Sequence, residues 1–585
     1  MTAAYQRWLV AAKIAAAVML ATGLDLVLAA AGGWTLRADV ARTVAMEAVL
    51  LLPVVAPVVL LLEIAMARRS RRRPWLGTAS MAALGMLMLL GAVALPLNGR
   101  SMLREPTRRE APSASAARPN LLLIVLDTMR ADHLGVYGYP RPTSPWLDGF
   151  AKRAVVFETA ISPSSWTLPA HATLFTGLFP HAHGADIVPS GAGTSLARLG
   201  REVDTADVRP LSPAAVTLAE LAARAGMETG AICANSAYLH RAFGLDQGFD
   251  TYVDPIGSDR SHRPIGLALG RRLGLDRHEA FRRLIVANER SYLLAPEVNA
   301  LALRWLAARR DRRFFLFLNY MDTHVSRMPP SGYRRLFPGA ERPARVDVDA
   351  IRSRTRSISP AEREGLVGVY DASVRYLDAE LQRLFAALES QRLLDHTVVV
   401  IVGDHGESLG EHHEIEHANG AYATEVQVPL LLALPGQAGG RRVAEVVHLA
   451  DVLPTLVELL ALAAPPEVQG ASLLGAERPF PAVSFTAPYR DLAIAYPRYY
   501  QRSHYAIYRD PWVLISRSDG ERELYDFRAD PNQERDLATA RATVVTELSA
   551  ELRRFEEQGR PRFEHEAAPL DEETRRRLRA LGYLN

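Results

Sequence analysis

The chain contains a single cysteine, Cys233, among its 585 residues. One cysteine cannot form an intrachain disulfide, and it leaves no cysteine-based metal cluster to build. The chain also lacks a large excess of charge of one sign, because 68 Lys and Arg residues face 65 Asp and Glu residues, for a net charge of +3. Its arginines are scattered or lie near hydrophobic segments, so no basic stripe suits nucleic acid. We therefore expect neither a disulfide framework nor a nucleic-acid partner.

Three hydrophobic segments, near 10–33, 45–66 and 76–97, occupy most of the first hundred residues. Each has about the 20 residues that a helix needs to cross a bilayer, and a cleavable signal would show only one. The loop between the second and third segments contains five arginines within Arg68–Arg73, and short basic loops stay cytoplasmic. We therefore predict a multi-pass anchor in the cytoplasmic membrane at 1–98, with the rest of the chain on the extracytoplasmic side.

The composition changes after the third hydrophobic segment. Residues 99–118 are rich in Arg, Pro, Ala and Ser and show no hydrophobic periodicity, which is typical of a polar linker. We predict a catalytic domain at 119–480 and a C-terminal subdomain at 481–585. Short β-prone runs broken by turn residues fill 503–527, and they predict a small antiparallel sheet in that subdomain.

Three short apolar runs in the predicted catalytic domain end in side chains of the kinds that bind metals. The runs and the residues after them are Leu121–Leu126 with Asp127, Phe314–Leu318 with Asp322 and His324, and Val398–Gly403 with Asp404 and His405. Apolar runs of this length, bounded by polar residues, are typical of strands buried on both faces of a parallel sheet. Because ligands bind at the carboxyl ends of the strands in such sheets, we expect these side chains to converge.

Amphipathic stretches lie where a parallel sheet needs crossover helices, near 213–226, 295–309 and 361–389. A further buried-strand run, Val428–Leu432, follows them, and a closing helix is predicted near 542–557. The fold class is therefore α/β with a central, mostly parallel sheet.

The strand-end residues Asp127, Asp404 and His405 offer oxygen and nitrogen ligands. This mixture suits Zn²⁺ or Mn²⁺ better than Ca²⁺, which prefers all-oxygen sites. The alternative is that an aspartate after a strand caps the next helix. Two strand-end carboxylates with a neighbouring histidine favour a divalent metal site.

The run from Ser165 to Gly177 resembles the signature of the sulfatase family, in the alkaline-phosphatase superfamily. A nucleophile stands there at the position of Thr167, with a proline two residues later and a glycine ten residues later, and the pattern continues into Phe179–Gly184. Further segments match the family in order, and they are Pro119–Asp127, Arg130–Gly135, Asp322–His324, Gly403–Glu407, Gly410–His412, Tyr422, Val428–Pro429, His448–Thr455, Glu523–Asp526 and Asp530–Pro531. The resemblance runs from residue 119 to the end and implies an alkaline-phosphatase-like sandwich and an enzyme that acts on sulfate or phosphate esters.

The chain departs from the sulfatase pattern at several positions. Thr167 stands where formylglycine-dependent sulfatases have Cys or Ser, and oxidation of threonine would give a ketone instead of an aldehyde. Thr128 replaces the second acidic residue that a calcium site needs, and His171 replaces the usual arginine. The Gly-Lys-x-His segment of many sulfatases has no counterpart near Asn235 to His240. These departures argue against the formylglycine mechanism.

A threonine nucleophile beside a metal resembles the phosphoglycerol and phosphoethanolamine transferase branches of the superfamily, which are membrane-tethered with external catalytic domains. The resemblance implies that Asp127, Asp404, His405 and the Thr167 oxygen bind one cation, which lowers the pKa of the Thr167 hydroxyl. A histidine would then exchange a proton with the leaving group or the incoming water or alcohol, and the candidates are His171, His324 and His417. Arg130 and Asp132 are predicted to brace the loop beneath Asp127.

Three functions remain as alternatives at this stage. The first is a membrane-anchored metalloenzyme that hydrolyses or transfers a phospho- or sulfo-ester through Thr167, on a small-molecule, lipid-headgroup or glycan substrate. The second is a sulfatase that works without formylglycine. The third is an inactive membrane scaffold that keeps the fold. For Thr167 itself, the alternative is a helix N-cap, a role that is compatible with that of a nucleophile. One metal or two also remain alternatives, since Asp322, His324 and His417 offer a loose second set.

Overall fold

The structure, a computed structural model, describes residues 118–186, 208–254, 292–558 and 563, apart from a few single positions within these ranges. The three predicted membrane spans and nearly all of the predicted linker lie outside the described residues. Within those ranges, no helix is both long enough and apolar enough to cross a bilayer.

Fourteen strands in the described ranges build a large central sheet, a small C-terminal sheet and one short hairpin. In chain order they are β1 (Asn120–Leu126), β2 (Val155–Ile161), β3 (Glu228–Cys233), β4 (Thr251–Val253), β5 (Phe314–Tyr320), β6 (Thr397–Gly403), β7 (Ser408–Leu409), β8 (Ile415–Glu416), β9 (Gln427–Ala433), β10 (Arg441–His448), β11 (Ala482–Thr486), β12 (His504–Arg509), β13 (Trp512–Arg517) and β14 (Arg522–Asp526). The central sheet has the order β10-β2-β9-β6-β1-β5-β3-β4. Strand β9 is antiparallel to both of its neighbours, and every other pairing in this sheet is parallel.

Twelve α-helices connect and cover these strands in the described ranges. In chain order they are α1 (Pro145–Ala151), α2 (Thr167–Thr176), α3 (Pro180–His183), α4 (Leu218–Arg224), α5 (Ala295–Ala307), α6 (Ser331–Arg334), α7 (Val348–Arg352), α8 (Pro360–Ser390), α9 (Ala423–Val426), α10 (Val452–Leu460), α11 (Arg490–Ala495) and α12 (Ala542–Gln558). The predicted helix near 213–226 begins later, at Leu218, because Thr217 and Glu220 form a capping box there.

The central sheet is buried on both faces, as the continuous apolar runs predict. On one face, alternate residues of β1 such as Leu121 and Leu123 pack in a core with Leu168 and Phe175 of α2 and with apolar residues of α4 and α10. On the other face, Trp305 of α5 packs edge to face on Phe314 of β5. Helices α5 and α8 are joined on this face, since the Asn299 amide donates to the Glu380 carbonyl at 2.9 Å. The fold is therefore a helix–sheet–helix sandwich.

The small sheet has four antiparallel strands in the order β11-β12-β13-β14, which confirms the antiparallel sheet predicted within 503–527 and adds β11 to it. One face packs on Leu548, Leu552 and Phe555 of α12. The other face packs on Tyr422 and Val426, which lead into β9 of the central sheet. The α/β fold class is confirmed, with a mostly parallel central sheet and a small antiparallel one.

Gly230 provides a test of packing beneath the sheet. A methyl group on its Cα would come within 2.5 Å of the Trp305 indole, whereas Gly149 in α1 has open space around the same position. We expect Gly230→Ala to lower the free energy of unfolding by about 1–3 kcal/mol, because the indole must move within a packed core. Gly149→Ala, the control, should raise it by up to about 1 kcal/mol through helix propensity. Urea unfolding would measure both, and equal stability of the two variants would contradict the packing argument.

Candidate active site and metal centre

Two buried aspartates lie side by side at the carboxyl edge of the sheet. Strands β1 and β6 are adjacent and parallel, with Leu126 opposite Gly403, so the residues that follow them, Asp127 and Asp404, leave the sheet together. Both carboxylates and the imidazole of His405 are fully buried. One ligand atom from each of these three residues lies within 4.8 Å of the other two. The structure thus brings together the three side chains that the sequence predicts as metal ligands.

Backbone groups hold these side chains in position. The Asp404 Oδ1 atom accepts hydrogen bonds from the N–H groups of Thr128 at 3.2 Å and His405 at 2.8 Å. Thr128 adopts a φ of 57°, and this left-handed turn aims its N–H at Asp404. The His405 Nδ1 atom lies 3.0 Å from the Gly406 carbonyl, so Nδ1 carries the proton. His405 Nε2 is left as a lone-pair donor and lies 3.5 Å from Asp404 Oδ2.

The donor set fits a divalent cation. Asp127 Oδ1 and Asp404 Oδ2 are buried without a hydrogen-bond partner among the described residues. Burial, together with the charge of Asp127, raises the pKa of Asp404 well above its ordinary value. Two adjacent buried carboxylates are unfavourable unless a positive charge compensates them, and a cation supplies that charge. We conclude that this Asp/Asp/His group can hold a metal ion.

Thr167 presents its hydroxyl to the same group. It is the first residue of α2, and Trp166 is the N-cap residue, so the predicted alternative of an N-cap role for Thr167 is not what the structure shows. The Thr167 Oγ1 atom lies 3.4 Å from His405 Nε2 and 3.4 Å from the side-chain amide of Asn235. The N-terminus of a ten-residue helix also favours negative charge at this position.

His171 lies one turn further along α2, beneath the nucleophile candidate. Its Nδ1 atom is 2.9 Å from the carbonyl oxygen of Thr167, and its ring packs edge to face on Phe317. Burial lowers the pKa of His171 to about 4, so the ring is neutral near pH 7. Because Nδ1 donates to the backbone and Nε2 is buried without a partner among the described residues, His171 suits bracing of Thr167 better than proton transfer.

His417 lies next to His405, and His324 lies next to His417. The His417 ring lies 4.7 Å from the His405 ring and 4.8 Å from the His324 ring, measured between centroids. His417 Nδ1 lies 3.3 Å from Glu407 Oε1, which orients the ring and leaves Nε2 toward the site. Burial and the neighbouring His324 lower the pKa of His417 to about 3. Of the three predicted proton-transfer histidines, His324 and His417 lie in this cluster with His405, whereas His171 lies on α2 against the Thr167 carbonyl.

Glu407 connects this histidine pair to a buried arginine. Arg327 donates two hydrogen bonds to Glu407 Oε2, at 2.8 and 2.7 Å, while Oε1 faces His417. Burial raises the pKa of Glu407, and Arg327 opposes that rise. Glu407 lies in a segment that matches a family motif, and the structure places it behind His417.

Arg130 and Asp132 lie where the sequence analysis predicts a brace. The Arg130 guanidinium pairs with Asp132 at 2.7 Å and Glu411 at 3.0 Å, and it donates to the Glu407 carbonyl at 2.9 Å. These contacts tie the loop after β1 to the loop after β6. His412 lies away from the centre, stacked on Tyr422 at 3.8 Å between ring centroids.

The described residues contain no second group of three or more metal-binding side chains of this kind. Asp322 Oδ1 accepts a hydrogen bond from the Ala295 N–H at 3.3 Å, and His324 Nδ1 lies 3.2 Å from the Val325 carbonyl. Within the described residues, Asp322, His324 and His417 therefore do not form a second metal-binding group.

The sequence analysis did not assign a role to Asn235, which follows β3. Its side-chain amide lies 2.9 Å from Asp127 Oδ2, so it contacts both a predicted ligand and the predicted nucleophile. An asparagine directly after the short apolar run Ala231–Ala234 is a signal of the same kind that identified Asp127, in a weaker form.

Comparison with known proteins agrees with this geometry. The sulfatase family model matches residues 119–462, more than half of the chain. The chain belongs to the sulfatase family. A second model, the C-terminal region of N-sulphoglucosamine sulphohydrolase, matches residues 410–558. The resemblance stated from the sequence is confirmed, and the chain is an ester-hydrolysing enzyme of this family.

Individual relatives cover most of the chain. An arylsulfatase of Clostridium perfringens is 23% identical over 445 residues, which are 71% of this chain and 89% of that protein. The solved phosphonate monoester hydrolase of Agrobacterium radiobacter has a TM-score of 0.56 at 19% identity and covers 76% of this chain and 96% of its own. A structure solved with its substrate D-glucosamine-2-N,6-O-disulfate has a TM-score of 0.55 at 17% identity, over 75% of this chain and 97% of its own. These structures share the sulfatase fold with this chain.

Proposed function

We propose that this protein is a metal-dependent hydrolase that cleaves a sulfate, phosphonate or phosphate ester with the hydroxyl of Thr167 as the nucleophile. Asp127, Asp404 and His405 would hold the cation, and their mixed oxygen and nitrogen donors favour Mn²⁺ or Zn²⁺ over Ca²⁺. When bound, a divalent cation lowers the pKa of a neighbouring hydroxyl and offsets negative charge on the transferred group. This function corresponds to the first of the three alternatives that the sequence leaves open.

One observation carries the proposal. The Thr167 hydroxyl is directed at the ligand group, 3.4 Å from His405 Nε2, at the N-terminus of α2. A buried threonine that only packed in the core would not need its oxygen beside His405, which forms one group with two carboxylates that have unpaired atoms. A nucleophile, in contrast, must lie beside the group that lowers its pKa.

The reaction that these side chains support proceeds in two steps. Thr167 Oγ1 attacks sulfur or phosphorus, the bond to the leaving oxygen breaks, and a threonine ester remains on the chain. The Nε2 atom of His417 or His324, which carries a lone pair, would take the Thr167 proton as the attack occurs and pass it to the leaving oxygen. Water, or a second alcohol in a transfer reaction, would then lose a proton to the same histidine and attack the ester, and that proton restores the Thr167 hydroxyl as its bond to sulfur or phosphorus breaks.

The substrate class and location are part of the proposal. The arylsulfatase and the glucosamine disulfate complex among the similar proteins support a small-molecule or glycan sulfate ester. The phosphonate monoester hydrolase supports a phosphonate ester as well. The three hydrophobic segments before residue 98 support an anchor in the cytoplasmic membrane, with the site on the extracytoplasmic side, where a lipid headgroup would also be within reach.

The inactive-scaffold alternative does not account for the strained and unpaired groups at the site. Thr128 in a left-handed conformation and two unpaired buried carboxylate oxygens are destabilising features. A protein retained only for its fold would gain nothing from these destabilising features. A functional site accounts for both.

The proposed function is tested on the purified full-length chain, stripped with EDTA and reloaded with Mn²⁺ or Zn²⁺. Turnover is compared on an aryl sulfate, an aryl phosphonate monoester, an aryl phosphodiester and an aryl phosphate monoester. Acid-quenched samples are digested, and the peptide that contains Thr167 is weighed by mass spectrometry. Added glycerol separates hydrolysis from transfer, because transfer would yield a glycerol ester.

We expect turnover that requires the metal, and a fraction of the Thr167 peptide heavier by one sulfuryl or phosphoryl group. Turnover that persists after metal removal would overturn the metal assignment. An adduct on a different residue would overturn the nucleophile assignment. Tight Mn²⁺ binding without turnover of any ester would favour the scaffold alternative.

A further inference from the structure

Asn235 is the buried polar side chain that contacts both halves of the candidate site. It is 1% exposed and follows β3, the strand two places from β1 in the sheet order. Its Nδ2 atom lies 2.9 Å from Asp127 Oδ2 and 3.4 Å from Thr167 Oγ1. An amide nitrogen has two hydrogens, so Asn235 has one for each of these oxygens.

The orientation of this amide is determined by its surroundings. The two ends of an asparagine amide are alike in size, and hydrogen bonds decide which end points where. Asn235 Oδ1 accepts from the N–H groups of Ala237 at 3.0 Å and Tyr238 at 3.2 Å, which need an acceptor. The nitrogen must therefore face Asp127 and Thr167. The Asn235 backbone N–H donates to Asn319 Oδ1 at 2.9 Å, which fixes the main chain as well.

Among the described residues, no lysine or arginine side chain occupies the place beside Thr167 Oγ1 that the Asn235 amide nitrogen occupies. The chain has two lysines, Lys13 and Lys152, and only Lys152 lies in the described ranges. Lys152 is exposed and precedes β2, at the edge of the sheet opposite Thr167. Arg130 and Arg327, two arginines in the loops of the site, are paired with carboxylates. An uncharged amide is thus the donor that faces the Thr167 oxygen.

We propose that Asn235 is a further catalytic residue, which donates one hydrogen bond to the Thr167 oxygen as negative charge develops on it and a second to Asp127. The first bond stabilises the nucleophile, because a donor already in place becomes stronger when its acceptor becomes charged. The second hydrogen bond engages Asp127 Oδ2. Asp127 Oδ1 has no partner among the described residues and stays available to the metal centre. This inference rests on the proposed role of Thr167.

The test separates the donor role from the structural role of the same side chain. Asn235→Asp keeps the volume and the acceptor for Ala237 and Tyr238, but it places an oxygen where the donor was. Asn235→Ser is the second variant, because serine also accepts at a helix or turn start and lacks the amide donors. Asn120→Ala is the control, since Asn120 is a buried asparagine at the other end of β1 with its own bonds to Thr397 and Phe314.

Three quantities are measured on the full-length chain: kcat and KM for the best aryl ester, and the affinity for Mn²⁺ from the electron paramagnetic resonance signal of the free ion. We expect kcat of Asn235→Asp to fall by about 100-fold, the effect of losing one donor to a developing oxyanion, with KM changed by less than about threefold. Asn235→Ser should lose about as much in kcat and bind Mn²⁺ about tenfold more weakly, because the Asp127 carboxylate loses the hydrogen bond from Asn235. Asn120→Ala should change none of the three quantities.

Wild-type kcat in Asn235→Asp, or losses in both Asn235 variants no larger than in Asn120→Ala, would overturn the inference. Thermal unfolding would reveal a misfolded Asn235→Asp. In that case the kcat and the Mn²⁺ affinity of Asn235→Ser test the inference instead. The two proposals fail separately. If Thr167→Val is fully active, the proposed function fails, whereas an inactive Thr167→Val beside a fully active Asn235→Asp removes only the role of Asn235.

Discussion

Replacement of Thr167 by valine is expected to lower kcat by about 10⁴-fold or more, because it removes the atom that forms the covalent ester. Valine has the same branched shape as threonine, so the packing of α2 against the sheet is kept. Among the described residues, the hydroxyl has two polar neighbours within hydrogen-bond distance, His405 and Asn235, both at 3.4 Å. Its loss should therefore cost little stability, and steady-state kinetics with thermal unfolding would separate the two effects.

Thr167→Ser is the matched control for this prediction. Serine restores the hydroxyl without the methyl group, so we expect kcat within about tenfold of the wild-type value. The quenched peptide of Thr167→Ser should carry the same adduct, and that of Thr167→Val should carry none. Rapid turnover by Thr167→Val would show that water attacks the ester directly, and it would remove Thr167 from the mechanism.

Much of the fold and part of the site follow from local patterns in the sequence. Asp127 follows six apolar residues, and Asp404 follows five apolar residues and a glycine, and each run must form a strand buried on both faces. Parallel neighbours then bring their ends together, as the pairing of β1 with β6 shows. Thr167 was identified by its spacing from proline and glycine in a family signature, and the structure adds the direction of its hydroxyl.

Other parts of the site depend on tertiary packing and have no local pattern. Strand β3 contains Glu228 and Thr229, so it does not appear as an apolar run, and Asn235 after it was not assigned a role. Glu228 can be buried in a strand because Arg309 and Arg312, over 80 residues away, pair with it. The Arg327–Glu407–His417 chain likewise joins residues from separate loops, 80 residues apart between Arg327 and Glu407. Pairings of this kind become visible only when the strands are assembled.

Asp404→Asn is expected to stabilise the metal-free protein and to abolish its response to metal. The Asp404 Oδ2 atom is buried without a partner among the described residues, and the charge of Asp127 lies beside it. Asparagine keeps Oδ1 for the Thr128 and His405 N–H groups and places an amide donor next to the unpaired Asp127 Oδ1. Removing a buried carboxyl group whose pKa is raised by burial and by Asp127 should raise the free energy of unfolding by about 1–3 kcal/mol in EDTA.

With the metal bound, Asp404→Asn should be less stable than the wild type, the opposite of the order expected in EDTA. A metal at 100 times its dissociation constant stabilises the wild type by about 2.7 kcal/mol, and the variant, with a ligand lost, should gain almost none of this. Its kcat should fall by about 10³-fold or more, because the Thr167 hydroxyl then keeps its ordinary pKa. Thermal unfolding with EDTA and with Mn²⁺, together with kinetics, measures both parts.

Asp371→Asn is the control that separates a metal ligand from a structural carboxylate. Asp371 is also fully buried, but its oxygens are paired with His133 at 2.7 Å, Arg141 at 2.8 Å and Tyr139 at 2.8 Å. Loss of its charge leaves those partners unsatisfied, so Asp371→Asn should destabilise the protein equally with and without Mn²⁺. If Asp404→Asn behaves in the same way, Asp404 is a structural residue and the cation lies elsewhere. If it is more stable than the wild type in EDTA and less stable in Mn²⁺, the two buried carboxylates are maintained at a cost to the fold because they bind the metal.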